Sequence, residues 1–156
     1  MTQPSMPPPP PEQSPTTFAS WGQRVGALII DIIPQLVVFV VCAVLFGESE
    51  TGDGSFSFQL AGVGAVLYYL LAFAWFGYNW LYLQGTTGQT VGKKALGIGV
   101  HRAGTREPIG PGLTFVRQLA HILDSLPCLI GYLVPLFDGE RRTFADMIMS
   151  TRVHRV

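Results

Sequence analysis

The sequence predicts an all-α membrane protein with two transmembrane helices, a third helical segment that is broken by proline, and a small cytoplasmic β pairing. Three observations support this prediction. Hydrophobic residues make up 48% of the 156 residues and charged residues only 13%, about half of the ~25% typical of soluble domains. Two apolar runs exceed the roughly 18 residues expected of a membrane span. Two pieces that read Val-His-Arg occur in the second half of the chain as candidate strands.

Residues 1–17 are predicted to form a disordered, proline-rich cytoplasmic tail, and residues 18–156 a membrane domain. Seven of the twelve prolines lie in the tail, including a run from Pro7 to Pro11. With almost no apolar side chains, the tail cannot bury enough surface to offset the entropy of ordering. It serves either as a plain tether or as a docking ligand for a partner.

The first predicted span covers residues 25–46, of which fifteen are Leu, Ile, Val or Phe. Their favourable transfer into lipid offsets the cost of Asp31 near the helix centre. The second predicted span covers residues 60–83 and contains no charge. Its aromatic residues suit a belt at the membrane interface. The alternative is a polar path along one helical face, formed by Tyr68, Trp75, Asn79 and Tyr82.

The charges of the loops predict the orientation of the chain. Residues 47–59 contain three acidic residues and no Lys or Arg, whereas residues 84–112 contain four basic residues. By the positive-inside rule, the N-terminus and residues 84–112 are cytoplasmic, and residues 47–59 face outward. The sequence therefore predicts a multi-pass protein of the cell membrane.

The third apolar stretch, residues 113–137, is interrupted by polar residues and by Pro127 and Pro135. A single span would leave the basic C-terminus outside, against the charge rule. A break near Pro127 would instead make a re-entrant segment and return the C-terminus to the cytoplasm. The charge bias favours the re-entrant segment. The pieces at 99–102 and 151–155, which read GVHR and TRVHR, could then pair as strands on one side.

An internal repeat is the most informative feature of the sequence. Residues 24–34 and 117–127 share the frame Arg-x6-Asp-x2-Pro at an offset of 93 positions. Each Asp lies beside a carbonyl that the following proline leaves without its helical hydrogen bond. Ionisable residues inside a membrane are costly and mark either transport pathways or structural pairs. The candidate residues lie along one face of each repeat helix, and we call these two faces stripes. They are Arg24, Asp31 and Gln35 on the first stripe, and Arg117, His121 and Asp124 on the second.

Each candidate also has a structural interpretation. Arg24 and Arg117 could anchor to lipid phosphate at the start of a helix, which is the favoured interpretation for both. Asp31 could coordinate a cation or exchange a proton, or it could pair with an Arg, such as Arg117 from the paired helix, to fix helix register. His121 could relay protons, although a structural hydrogen bond is favoured. An Arg and an Asp seven residues apart stand about 10.5 Å apart along one helix, so each Asp needs a partner elsewhere.

These features resemble the RDD family of small membrane proteins over residues 18–156. The family's first helix begins with Arg and carries Asp seven residues later, as Arg24 and Asp31 do here. Its cytoplasmic turn resembles residues 88–94, GQTVGKK, followed by a strand at 96–100. Its last Asp corresponds to Asp146, which precedes a Thr-x-Val strand. The resemblance adds Asp146 to the candidate residues and implies transport, which has been proposed for the family.

The sequence argues against other classes of function. The formal net charge of zero argues against nucleic-acid binding. No nucleophile motif, P-loop or metal-ligand cluster occurs, and Cys42 and Cys128 lie in apolar runs, so we expect neither an enzyme nor a metal or other cofactor. The leading hypothesis is a transporter of a cation or proton that acts in the bilayer as a homo-oligomer. The competing hypothesis is a non-transporting accessory subunit of a larger membrane complex.

Overall fold

The computed structural model of the chain describes residues 17–52, 54–126 and 130–156. The predicted disorder of the tail and the predicted break at Pro127 lie outside these residues. Helix α1 (Trp21–Phe46) begins four residues before the predicted span, because Ser20 and Gln23 form a capping box at its N-terminus. Pro34 lies within this helix.

A hairpin follows α1 and was not predicted from the sequence. Strands β1 (Gly47–Gly52) and β2 (Ser55–Leu60) pair antiparallel, with Glu48 opposite Gln59 and Glu50 opposite Ser57. The polar and apolar residues of the Ser-Phe-Ser-Phe segment alternate with the period of two that a strand requires. The fold is therefore mostly helical with two small sheets, which corrects the expectation of one β pairing.

The second predicted span is helical, but it is divided. Helix α2 (Gly62–Phe76) continues into a π-helix (Gly77–Leu83) and then into α3 (Gln84–Thr87). The run ends at Gly88, whose φ of 76° gives the left-handed C-terminal cap that glycine allows. Among the described residues, α1 alone is a single helix long and apolar enough to cross a membrane.

The rest of the chain forms a series of further elements that follow α3. They are α4 (Val91–Ala95), β3 (Ile98–Arg102), α5 (Pro111–Ser125), two 3-10 turns (Ile130–Tyr132 and Val134–Leu136), α6 (Phe144–Ile148) and β4 (Thr151–Arg155). The segment predicted as a third span is thus not one straight helix, because the chain bends by 111° between α5 and the 3-10 turns.

Strands β3 and β4 pair antiparallel, which confirms the predicted pairing of the two Val-His-Arg pieces. Val100 lies opposite Val153 at the centre of the ribbon. The chain before α1 joins the same sheet, since Phe18 forms a bridge with His154. The N-terminal segment, the loop after α3 and the C-terminal strand therefore lie together.

The buried apolar core is small and lies between the ribbon and the base of α1. It consists of Ala19, Ala27, Ile98, Val100 and Val153. In contrast, the long helices expose large apolar side chains, with Val44 79% and Phe73 71% exposed. Apolar surface of this extent is typical of a protein whose helices contact lipid or another protein.

Candidate functional site

The centre of the site is an ion triad formed by Arg24, Arg117 and Asp146. Arg24 Nη1 lies 2.7 Å from one carboxylate oxygen of Asp146, and Arg117 Nη2 lies 2.7 Å from the other. Thr151 adds a hydroxyl donor at 2.9 Å. Four elements thus meet at one carboxylate, because the two arginines come from α1 and α5, Thr151 comes from β4 and Asp146 comes from α6.

The charge of Asp146 is well compensated. Burial alone would raise the pKa of its carboxyl group, but the charges and hydrogen bonds of Arg117 and Arg24 outweigh burial and hold the pKa well below its usual range. Arg117 is buried, and Arg24 also donates to the carbonyl of Arg141. The favoured interpretation that both arginines anchor to lipid phosphate is therefore wrong, because their guanidinium groups bind within the protein.

Asp31 lies in a different environment. It is 1% exposed, and its carboxylate accepts hydrogen bonds from Asn79 Nδ2 at 2.9 Å, Thr90 Oγ1 at 2.6 Å and the backbone N–H of Gly92 at 2.7 Å. All three donors are neutral. Within the described residues, no Arg, Lys or His nitrogen lies within 4.0 Å of this carboxylate. Arg117, the partner that helix pairing suggested for Asp31, binds Asp146 instead.

The donors around Asp31 come from the start of α4 and from the π-helix. Thr90 caps α4 by accepting the N–H of Lys93, and its hydroxyl donates to Asp31. Asn79 bridges the two elements, since its amide oxygen accepts the N–H of Val91. π-helical turns are frequent at functional sites. Sequence reasoning placed Asn79 only on a candidate polar path and missed Thr90, although Thr90 belongs to the Gly-Gln-Thr turn that carries the family resemblance.

The aromatic residues of the second predicted span divide between the two interpretations. The indole N–H of Trp75 donates to the backbone carbonyl of Asp31 at 3.0 Å, and Asn79 is buried against the same residue. Tyr78 and Tyr82 are instead exposed and stack on each other. One side of the helix therefore faces the site, and the other side carries an exposed aromatic band.

Asp124 occupies the equivalent position in the second stripe but has other partners. Its carboxylate lies 2.7 Å from Nδ1 of His121 and accepts the backbone N–H of Phe144 at 2.8 Å, at the start of α6. The hydrogen bond to Asp124 agrees with the structural interpretation of His121. A Cβ on Gly131 would overlap the Cα of Asp124, so the 3-10 turn packs directly on this site.

Gln35 does not join either carboxylate. It lines a groove of about 350 Å³ between α1 and α2, together with Pro34, Leu71, Trp75 and other residues. Within the described residues its Nε2 is buried and has no hydrogen-bond partner. The predicted continuation of the Asp31 stripe therefore ends in an apolar groove beside the site.

The site is built from two similar units. The first unit contains the Asp31 segment of α1 with α4 and β3, and the second unit contains the Asp124 segment of α5 with α6 and β4. In each unit, an Asp of the long helix accepts a backbone N–H from the first turn of a short helix, Asp31 from Gly92 and Asp124 from Phe144. Each short helix has a Thr cap and leads into a Val-His-Arg strand. Residues 90–102 and 143–155 align at an offset of 53 positions, with identical residues at the Thr cap and at the three Val-His-Arg positions. The strand register is symmetric about Val100 and Val153, as a local two-fold axis between the units requires.

An apolar helix of 26 residues, exposed apolar helix faces and buried ionisable residues define a small membrane protein. The family model for the RDD family matches residues 18–150, so the chain belongs to the RDD family.

The chain is also similar to curated proteins from mycobacteria. It is 35% identical over 150 residues to a "Proline-rich antigen homolog" from Mycobacterium tuberculosis (strain ATCC 25618 / H37Rv), covering 86% of this chain and 62% of that protein. It is 34% identical over 149 residues to the "Proline-rich antigen" of Mycobacterium leprae (strain TN), covering 86% of this chain and 59% of that protein. The chain thus spans about three fifths of the curated relatives that it matches. No solved structure matches it.

Proposed function

We propose that the protein transports a cation or proton across the cell membrane through the site around Asp31. The observation that supports this proposal is a buried carboxylate held by three neutral donors, with no cationic side chain within salt-bridge distance among the described residues. An ionised group in such a place is costly unless a counter-charge is present. A bound cation or a proton supplies that charge, and the loss of either one prepares the site for the other.

The contrast with Asp146 strengthens this proposal. Asp146 faces two guanidinium groups and needs no further positive charge. Asp31 accepts hydrogen bonds from donors that do not change its net charge, so the charge at Asp31 remains for a transported ion to balance. Carboxylate, amide and hydroxyl oxygens together are ligands that hard cations prefer.

A specific observation favours the second candidate function, a non-transporting accessory subunit. The outer face of α5 exposes apolar residues, among them Leu119 and Ile122, while its polar residues Arg117 and Asp124 are buried. Such a face binds lipid, a second copy of this chain or a larger membrane complex. In the transport proposal this face joins copies into a homo-oligomer, because one chain of this size encloses little space.

We further propose a topology of two spans, α1 and the helical run from α2 to α3, with both termini in the cytoplasm. Helix α5 has 15 residues, about 22 Å at 1.5 Å per residue, which is shorter than a bilayer core of roughly 30 Å. The pairing of β3 with β4 supports a third segment that returns to the side from which it started. The bend after α5 fits a re-entrant or interfacial segment.

Site-specific labelling tests this topology. We expect a cysteine introduced at Val156 to react with an impermeant maleimide only from the cytoplasmic side, and a cysteine at Ser49 only from the outside. The chain's own Cys42 and Cys128 would first be replaced by Ala. A C-terminus that is labelled from outside would contradict the re-entrant segment and leave three spans.

The transport proposal predicts that Asp31→Asn abolishes ion flux and leaves folding largely intact. Asn keeps a side chain of the same size with one acceptor oxygen, but it removes the charge that an ion would balance. The measurement is cation-driven pH change in vesicles that contain equal amounts of folded protein, with folding checked by size-exclusion chromatography. Full flux through well-folded Asp31→Asn protein would end the ion-exchange proposal.

Asp124→Asn is the matched control. It removes the carboxylate at the equivalent position of the second unit, where His121 and the start of α6 are the partners. We expect this variant to be less stable and yet to retain flux per folded molecule. Equal loss of flux in both variants, together with loss of oligomers, would favour the accessory subunit.

A further inference from the structure

Lys93 is the basic residue next to the Asp31 site, and it has few partners. It is half-buried in α4, and its Nζ donates a hydrogen bond to Gln84 Oε1 at 2.6 Å. Within the described residues, no carboxylate oxygen lies within 4.0 Å of this nitrogen. An ammonium group has three protons to donate, so a single neutral acceptor leaves it poorly satisfied.

The local two-fold relation between the units identifies the residue of the second unit that is equivalent to Lys93. At the offset of 53 positions that relates the two units, Lys93 corresponds to Asp146. Each follows its Thr cap by three residues, and the backbone N–H of each donates to that Thr hydroxyl. The two units therefore differ in charge at this position, where the second unit has the carboxylate of the ion triad and the first unit has an amine.

Charged groups on three other elements act electrostatically on Lys93. These groups are Arg117 of α5, Asp31 and Arg24 of α1, and Asp146 of α6. The two arginines are already bound to Asp146. Asp31 is then the one acid of this group that lacks a cationic partner, and Lys93 is the one base that lacks an acidic partner, among the described residues.

We infer that Lys93 takes up and releases the proton that is exchanged for a cation at Asp31, an inference that rests on the proposed transport function. Release of the proton converts the ammonium into a neutral amine and sends one proton to water. Binding of one monovalent cation at the Asp31 carboxylate restores the lost positive charge. One exchange therefore leaves the net charge of the site unchanged, and no other reactant is needed.

The electrostatics agree with this role. Loss of water on burial, followed by the charge of Arg117, lowers the pKa of Lys93 to about 7, although Asp31 and Asp146 act to raise it. The group is thus mostly charged below pH 7 and mostly neutral above it. The unperturbed pKa of lysine is about 10.4, at which no exchange would occur in the physiological range.

Gln84 provides a second observation at the same place. It is fully buried, and within the described residues its Nε2 has no hydrogen-bond partner, while its Oε1 accepts from Lys93. A buried amide donor without a partner calls for a water molecule or another acceptor. Water bound there would connect the amine of Lys93 to solvent and provide a route for the proton.

Two measurements on the full chain test the inference. The first is the titration of lysine side-chain signals by NMR in protein labelled with ¹⁵N-lysine and purified in detergent, with assignment by Lys93→Arg. We expect Lys93 to titrate near pH 7. A titration of Lys93 above about pH 9 would overturn the inference whatever the flux, because such a group stays charged throughout exchange.

The second measurement is proton movement driven by a sodium or potassium gradient in vesicles. Between pH 6 and pH 8 we expect the rate in the wild type to rise about tenfold, following the neutral fraction of a group with a pKa near 7. Lys93→Arg keeps the positive charge but cannot release a proton, so its coupled flux should be lost at both pH values. Lys94→Arg is the matched control and should behave as the wild type, and Lys93→Gln serves as the second variant if Lys93→Arg folds poorly.

The outcomes separate the inference from the function on which it rests. Wild-type flux with an unchanged pH profile in folded Lys93→Arg and Lys93→Gln protein would overturn the role of Lys93 and leave the transport function standing. Absence of flux from folded wild-type protein would overturn the transport function and with it the role of Lys93, even if Lys93 titrates near pH 7. Loss of the pH profile in the Lys93 variants alone would support both.

Discussion

The two units of this protein share one plan and differ in how their buried charges are compensated. In both units, an Asp on a long helix holds the first turn of a short helix that leads into a Val-His-Arg strand. In the second unit, Asp124 has His121 beside it, and Asp146 has two arginines. In the first unit, Asp31 has neutral donors only, and Lys93 has a neutral acceptor.

This difference suggests that one unit supports the structure and the other carries the function. A buried charge that is fully paired is a structural element, because removing one partner exposes the other to a large desolvation penalty. A buried charge without a counter-charge is costly for stability, and such residues are concentrated at functional sites. The second unit thus has the features of a structural scaffold, and the first unit has the features of a functional site.

The largest expected effect tests the scaffold. Asp146→Asn leaves two buried guanidinium groups without a negative charge, since Arg24 and Arg117 both bind this carboxylate. We expect a loss of about 3–5 kcal/mol in the free energy of unfolding, seen as low abundance in the membrane and a lower unfolding temperature in detergent.

Asp138→Asn is the control for this prediction. It weakens the ion pair with Arg142, which is partly exposed, and such pairs contribute less than fully buried ones. We therefore expect nearly wild-type abundance. If Asp146→Asn were as abundant and stable as Asp138→Asn, the triad would not be what joins the two units, and the assignment of the second unit as scaffold would be wrong.

Much of the architecture could be predicted from the sequence because it depends on local patterns. The apolar run of α1 follows from the character of neighbouring residues, and the pairing of β3 with β4 was suggested by the repeated Val-His-Arg pieces. The Arg-x6-Asp-x2-Pro frame also identified both aspartates of the long helices. The hairpin of β1 and β2 was missed because it is a short, exposed element whose few aromatic residues give a weak pattern.

The partners of the charges could not be predicted in the same way. The sequence shows that Arg117 and Asp31 lie on equivalent helices, and helix pairing suggested that they meet. In the structure, Arg117 reaches α6 instead, because α5 packs on that helix and α1 packs on α4. Such choices depend on distances between segments remote in sequence, which periodicity does not encode. Thr90 and Asn79 were missed as ligands of Asp31 for the same reason.

A smaller effect tests the packing that differs between the units. Gly92 and Ala145 are equivalent at the offset of 53 positions, yet a Cβ on Gly92 would overlap the carbonyl oxygen of Ala27, whereas Ala145 is buried without such overlap. Gly92→Ala should therefore push α4 away from α1 and cost about 1–3 kcal/mol.

The reverse change, Ala145→Gly, removes one buried methyl group and some helix propensity, for which we expect a loss of about 1–2 kcal/mol in the free energy of unfolding. The measurement is urea unfolding of both variants in detergent, with Gly112→Ala as control, because a Cβ at Gly112 meets open space.

Gly92→Ala should also weaken the hydrogen bond from this residue to Asp31, so its coupled flux should fall further than that of Ala145→Gly. A Gly92→Ala protein as stable and as active as the wild type would show that α4 does not approach α1 this closely. The distinction between the two units would then rest only on how their buried charges are compensated.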